Sequence, residues 1–246
     1  VSATHIVFAY ANDLWIVSRE GGLALPLAGP PGQELAPKFS PDGKTIAFVG
    51  NYEGNRDLYT LPTGGGVSQR VTYHPSTEHL CDWTPDGGLL YMTSGFAGLP
   101  RQQQLFTVPV TGGLPTQVPV PYGANGAISD DGTWLAYTPH SRDFRTWKRY
   151  RGGMATDVWL FNLKTNESKK ITNWEGTDTL PMWHGKTVYY LSDAGAEHRL
   201  NIWSYDTTSG KTEQVTKIAD YDVKWPSMGP GANGQGEIVY QKGAEL

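Results

Sequence analysis

Short runs of alternating apolar and polar residues fill this chain, and Asp-Gly turns separate them at a nearly fixed distance. "FSPDGKTIAFVG", starting at Phe39, returns as "WTPDGGLLYMTS" at Trp83 and as "ISDDGTWLAYTP" at Ile128, intervals of 44 and 45 residues. Gly accepts the positive φ that a tight hairpin needs, and Asp bonds its own backbone. Asp42-Gly43, Asp86-Gly87 and Asp131-Gly132 therefore each predict a closed hairpin. A second series, "NDLWIV", "RDLYTL", "QQLFTV", "TDVWLF" and "LNIWSY", places an aromatic at Trp15, Tyr59, Phe106, Trp159 and Trp203, spaced by 44, 47, 53 and 44 residues. The recurrence predicts that these aromatics form core between repeat units.

Each unit then reads as four short strands. Such a unit cannot bury both faces alone, so successive copies must stack, and the pattern predicts an all-β fold, a β-propeller. Counted from the strand after each turn, the units run 5–44, 45–88, 89–133, 134–187 and 188–236, and the start of a sixth covers 237–246. The expectation is one propeller domain over residues 1–246, incomplete at its C-terminal end. A six-bladed ring is expected in a longer protein, because an unfinished blade leaves open sheet edges.

Composition agrees with this reading. There are 30 Gly and 17 Pro, hydrophobic residues are 38%, aromatics 12% and charged residues only 18%. No apolar run is long enough to span a bilayer. A net charge of −4 argues against nucleic acid as a partner. The single cysteine, Cys81, can make neither an internal disulfide nor a thiolate metal site and leaves the compartment undetermined.

The repeat "FSPDGKTIAFVG...DLYTLP" resembles the WD-like repeat of TolB-type propellers. "TWKRYRGGMATDVWLFNLKTNESKKIT", 146–172, resembles the corresponding part of the first propeller of the tricorn-like serine peptidase family. That resemblance implies a non-catalytic N-terminal propeller, a scaffold and substrate or product channel for peptide trimming. It implies a second propeller and a C-terminal protease domain in the same chain, peptides as substrates, a homo-oligomer and a cytoplasmic setting. The nucleophile of the family lies in the C-terminal domain, so no catalytic residue is carried over. The alternative is a TolB-like, non-enzymatic propeller that binds other proteins.

The chain carries no catalytic motif of its own. There is no G-x-S-x-G elbow and no H-E-x-x-H, and the six histidines lack ligand spacing, so neither a metal nor a cofactor is expected. "GPGANG", 229–234, matches a dinucleotide fingerprint but leads into the strand-like "EIVYQ", which is the wrong context. The family holds peptide carboxyl ends with basic propeller residues. "YHPSTEHLCDW", which runs into the second Asp-Gly turn at Asp86-Gly87, has no Lys or Arg, and no such role is assigned there.

Two sets of candidate site residues remain. The first is the long loop 139–156, basic and aromatic, with Arg145, Trp147, Lys148, Arg149, Tyr150 and Arg151 as a peptide-contact or domain-contact surface. The second is an acid five residues before each strand aromatic: Glu34, Glu78, Asp178 and Asp220, before Phe39, Trp83, Trp183 and Trp225, with Gly123 in the unit of Ile128. These acids either cap backbone N–H groups or ring a channel mouth and attract peptide amino termini.

Overall fold

The computed structural model describes residues 1–27, 29–99, 102–144 and 148–246. Its strands are short and antiparallel, as turn-punctuated alternation requires. The first sheet contains β1 (His5–Tyr10), β2 (Asp13–Ser18) and β3 (Leu25–Pro26). The second contains β4 (Gln33–Phe39), β5 (Thr45–Asn51), β6 (Asp57–Pro62) and β7 (Gln69–Arg70), and the third β8 (Glu78–Trp83), β9 (Leu89–Thr93), β10 (Gln104–Val108) and β11 (Thr116–Gln117). The fourth contains β12 (Asn125–Ile128), β13 (Trp134–Thr138), β14 (Trp159–Asn162) and β15 (Ser168–Lys170). The fifth contains β16 (Asp178–His184), β17 (Thr187–Ser192), β18 (Asn201–Asp206) and β19 (Thr212–Gln214), and β20 (Val223–Gly229) pairs with β21 (Glu237–Lys242).

This is an all-β, five-bladed β-propeller arrangement, in which four sheets have four strands, the first has three, and β20 and β21 form a pair. Each four-stranded sheet begins with the strand before its Asp-Gly-type turn, so the sequence repeat counted from the strand after the turn straddles two sheets. The chain divides into two compact units, Val1–Val118 with Ser227–Val239, and Pro119–Pro226 with Tyr240–Leu246.

The Asp-Gly turns are hairpins locked by a side chain as well as by glycine. Gly43, Gly87 and Gly132 have φ of 71°, 84° and 69°. In two of the turns a serine donates to the turn aspartate, Ser40 to Asp42 and Ser129 to Asp131, each at 2.6 Å. Thr84 donates to Asp86 at 2.5 Å in the third.

Within the first unit, β4 packs on β1 and β2, and β8 packs on β4, β5 and β6. Alternation along β5 splits its residues between two cores. Ile46 and Phe48 join Leu14, Phe39, Tyr59 and Leu61, whereas Ala47 and Val49 join Leu58, Leu80, Leu89 and Tyr91. In the second unit, Ala136, Val158, Leu160, Trp183 and Tyr190 form the matching core between the fourth and fifth sheets. The predicted aromatic series is only partly core: Tyr59 and Phe106 are buried, and Trp15, Trp159 and Trp203 are half-buried. The deepest position is the aliphatic residue just before each aromatic, Leu14, Leu58, Leu105, Val158 and Ile202. Its side chain points to the opposite face of the strand.

Candidate functional site

Most of the repeated acids sit at the joints between sheets. The backbone N–H groups of Glu34, Glu78 and Asp178 donate to Asn12 O, Arg56 O and Thr156 O at 2.8, 3.0 and 3.0 Å, fixing one common phase. All three side chains are buried. Glu34 Oε2 accepts the Leu14 N–H at 2.8 Å, and the Tyr52 hydroxyl donates to Oε1. Glu78 works through an intermediary: the Thr72 hydroxyl donates to it, and Thr72 Oγ1 accepts the Leu58 N–H at 2.9 Å. Thr172 repeats the arrangement, accepting the Val158 N–H at 3.0 Å beside Asp178. Leu14, Leu58 and Val158 occupy one repeat position, whose strand N–H would otherwise be an unpaired buried donor. At the joint between the first and second sheets the glutamate reaches the N–H directly.

Burial without a cationic partner has an electrostatic consequence. Desolvation pushes the Glu78 carboxyl up to about 7 and that of Asp178 up to about 6. One oxygen of each, Glu78 Oε1 and Asp178 Oδ2, has no hydrogen-bond partner.

Asp220 does not belong to this series. The N–H in the equivalent position on β20 is that of Val223, which donates to Leu200 O at 2.8 Å. The position of Phe39, Trp83 and Trp183 therefore falls on Met228, and Trp225 marks a different place. Trp225 has φ 50°, matching Ala36 at 52° and Leu180 at 51°, the positive-φ residues two positions after Glu34 and Asp178. At Ala36 and Leu180 this residue lies within a bulge of the strand pairing. Asp220 is an exposed residue three positions upstream, ion-paired to Lys242 at 3.4 Å. The acid at this joint is Asp222, whose Oδ1 accepts the Leu200 N–H at 3.1 Å.

The long loop finds its partners within the chain. Arg145 and Trp147 lie outside the described residues. Lys148 Nζ is 2.9 Å from Asp222 Oδ2, and Arg149 Nε donates to His198 O at 2.9 Å. Arg151 pairs with Glu175 at 2.7 Å and lies 5.0 Å from the centroid of the Trp174 ring. Phe144 packs against Trp225 with ring centroids 5.5 Å apart. Asp143 accepts hydrogen bonds from Ser141, Thr179 and Asn125 at 2.5, 2.8 and 2.8 Å, which ties the start of the loop to β16 and β12.

Between this loop and the ends of β16, β17 and β20 lies a cleft of about 370 Å³, wholly within the second unit. Tyr150, Leu180, Leu191, Val223 and Trp225 supply apolar wall, and Asp143, Asp193, Asp222, Lys148, Arg149 and Lys224 supply charge. Asp193 is held in place by the Trp174 Nε1–H at 2.7 Å and the Thr177 N–H at 2.9 Å, both on Oδ1. The volume is within the range of ligand clefts, and the lining is richer in charge than that of a typical apolar pocket. The composition of the loop pointed to it in the sequence. Asp193, Asp222 and Trp225 carried no such signal, since they come from two further segments, one after β17 and one at the start of β20.

The family of the tricorn protease N-terminal β-propeller domain matches this chain over residues 1–246. The chain belongs to that family. It is 30% identical over 192 residues to tricorn protease homolog 1 of Streptomyces coelicolor, covering 76% of this chain and 18% of that protein. It is 25% identical over 247 residues to a tricorn protease homolog of Saccharolobus solfataricus, covering 98% and 22%. The crystal structure of the tricorn protease superposes with a TM-score of 0.82 at 22% identity, over 99% of this chain and 24% of that one. This tricorn-type propeller thus spans about a fifth of the length of the curated relatives it matches.

Proposed function

We propose that this domain is the non-catalytic propeller of a tricorn-like serine peptidase, a scaffold and a passage for peptides beside a protease domain. The observation that carries the reading is the match of the propeller family to the whole chain, where the related proteases are about five times longer. In this reading the partners are a second propeller and a protease domain of the same polypeptide, further copies of that polypeptide, and the peptides being trimmed.

The buried acids Glu34, Glu78 and Asp178 then hold sheets together, and the charges offered to peptides are those of the cleft. The test compares the full-length peptidase with a version lacking residues 1–246. Loss of cleavage of long peptides, with turnover of a single-residue amide substrate retained, is the expected result. Equal cleavage of both substrates by the shortened enzyme would exclude a passage role.

A further inference from the structure

The cleft of the second unit has a built-in cation that can be displaced. Asp222 is nearly buried, its side chain 10% exposed, and Oδ1 is committed to the Leu200 N–H. Its other oxygen faces the ammonium of Lys148, which stands on a flexible stem that is 62% exposed. A desolvated carboxylate holds a cation strongly, whereas an exposed lysine side chain keeps its rotamer freedom and is easily exchanged. Lys148 therefore occupies the place that an incoming ammonium would take.

An independent feature points to a ligand in the same cleft. Thr156 lines it and is 2% exposed, yet its Oγ1 has no hydrogen-bond partner. A buried hydroxyl left unpaired costs free energy that a peptide N–H or C=O would recover. Asp193, fixed through Oδ1, lines the same space.

We infer that this cleft binds the amino-terminal residue of a peptide, whose α-ammonium replaces Lys148 Nζ on Asp222. The side chain of that residue lies against Leu180, Leu191 and Trp225, the Thr156 hydroxyl pairs with the first peptide group, and Arg149 and Lys224 face the carbonyls that follow. The inference rests on the peptide-handling reading above and names the end of the peptide that is held. The geometry adds a specificity rule: a blocked amino terminus cannot displace Lys148, so acetylated peptides bind more weakly.

The test uses the 246-residue chain and two probes, the tripeptide Leu-Gly-Gly and its N-acetyl form, followed by calorimetry and by the fluorescence of Trp225 against a Trp225→Phe control. The free tripeptide is expected to bind at least about tenfold more tightly than the acetylated one, the worth of one charge-assisted contact. Lys148→Ala, which empties the place on Asp222, is expected to tighten binding of the free tripeptide several-fold and to leave the acetylated probe unchanged. Asp222→Asn, checked for folding by thermal melting, is expected to erase the preference. Equal affinity for the two probes overturns the inference, as does absence of binding to both the native chain and Lys148→Ala. Neither result touches the scaffold role, because the cleavage comparison on the full-length enzyme reads that separately.

Discussion

Glu78 and Asp222 stand at the same kind of joint, where one sheet hands over to the next, and they do opposite things. Glu78 is sealed in, 0% exposed, bonded to Thr72 and facing Asp57, Arg70 and Tyr91, with no cation directly on it. Asp222 keeps one oxygen for the Leu200 N–H and turns the other to an exposed lysine across a cleft. The difference arises from one residue of displacement. On β8 the acid is the residue whose N–H starts the pairing, and on β20 that residue is Val223, with the acid one step earlier. A carboxylate at the first position points into the joint, and one at the preceding position reaches its edge. Repetition of an architecture thus supplies the slot, and a shift of a single position decides whether the slot is mortar or opening.

The largest expected contrast is in packing. Tyr91, fully buried against the Glu78 joint, should cost about 3–5 kcal/mol when changed to Ala. Trp225→Ala, at a ring 47% exposed beside the cleft, should cost no more than about 1 kcal/mol. Urea titrations of both variants check the pair, and similar losses would erase the distinction between a sealed and an open joint.

Next comes the hydroxyl that links acid to backbone. Thr72→Val leaves the Leu58 N–H and one Glu78 oxygen without their partner and should destabilise by about 1–3 kcal/mol. Thermal melting measures it, and a neutral result would mean that the bridge is dispensable.

A pH series sharpens the comparison further. The Glu78 carboxyl sits at about 7 in the folded chain, above its ordinary value of 4.5, so the native state binds more protons than the unfolded one between these values. Its contribution to stability is complete below 4.5 and declines as pH rises towards 7. Glu78→Gln should remove that decline, so the variant gains relative to the native chain across this window and the difference levels off above it. A constant difference at all pH values would contradict the sealed environment. The smallest effect belongs to Lys148→Ala: the ammonium it removes is itself largely exposed and Asp222 Oδ1 keeps the Leu200 N–H, so stability should change by less than about 1 kcal/mol, measured in the same melts.

How far the sequence led is clearest at these same residues. The Asp-Gly turns and the four-strand rhythm were legible because each is dictated locally, by a glycine that needs positive φ and by alternation of period two. The acid series was legible as a phase, and its first three members do share one. Asp220 was misplaced because Trp225 was matched to Phe39, Trp83 and Trp183 by residue type. In the fold that tryptophan occupies the positive-φ position two residues into its strand, and Met228 takes the aromatic place. Spacing alone cannot register a bulge, since the extra residue shows only in the backbone pairing. The cleft was half legible: the basic loop stood out in composition, whereas Asp193 and Asp222 join it only when strand ends converge.

The carboxyls at the joints also make folding a reaction that consumes acid. Between about pH 4.5 and 6, both Glu78 and Asp178 hold protons in the native chain that the unfolded chain releases, so refolding draws hydrogen ions from solution. The heat of refolding should then depend on the ionisation enthalpy of the buffer, in cacodylate as against imidazole. In an unbuffered solution the domain should leave its surroundings slightly more alkaline each time it folds.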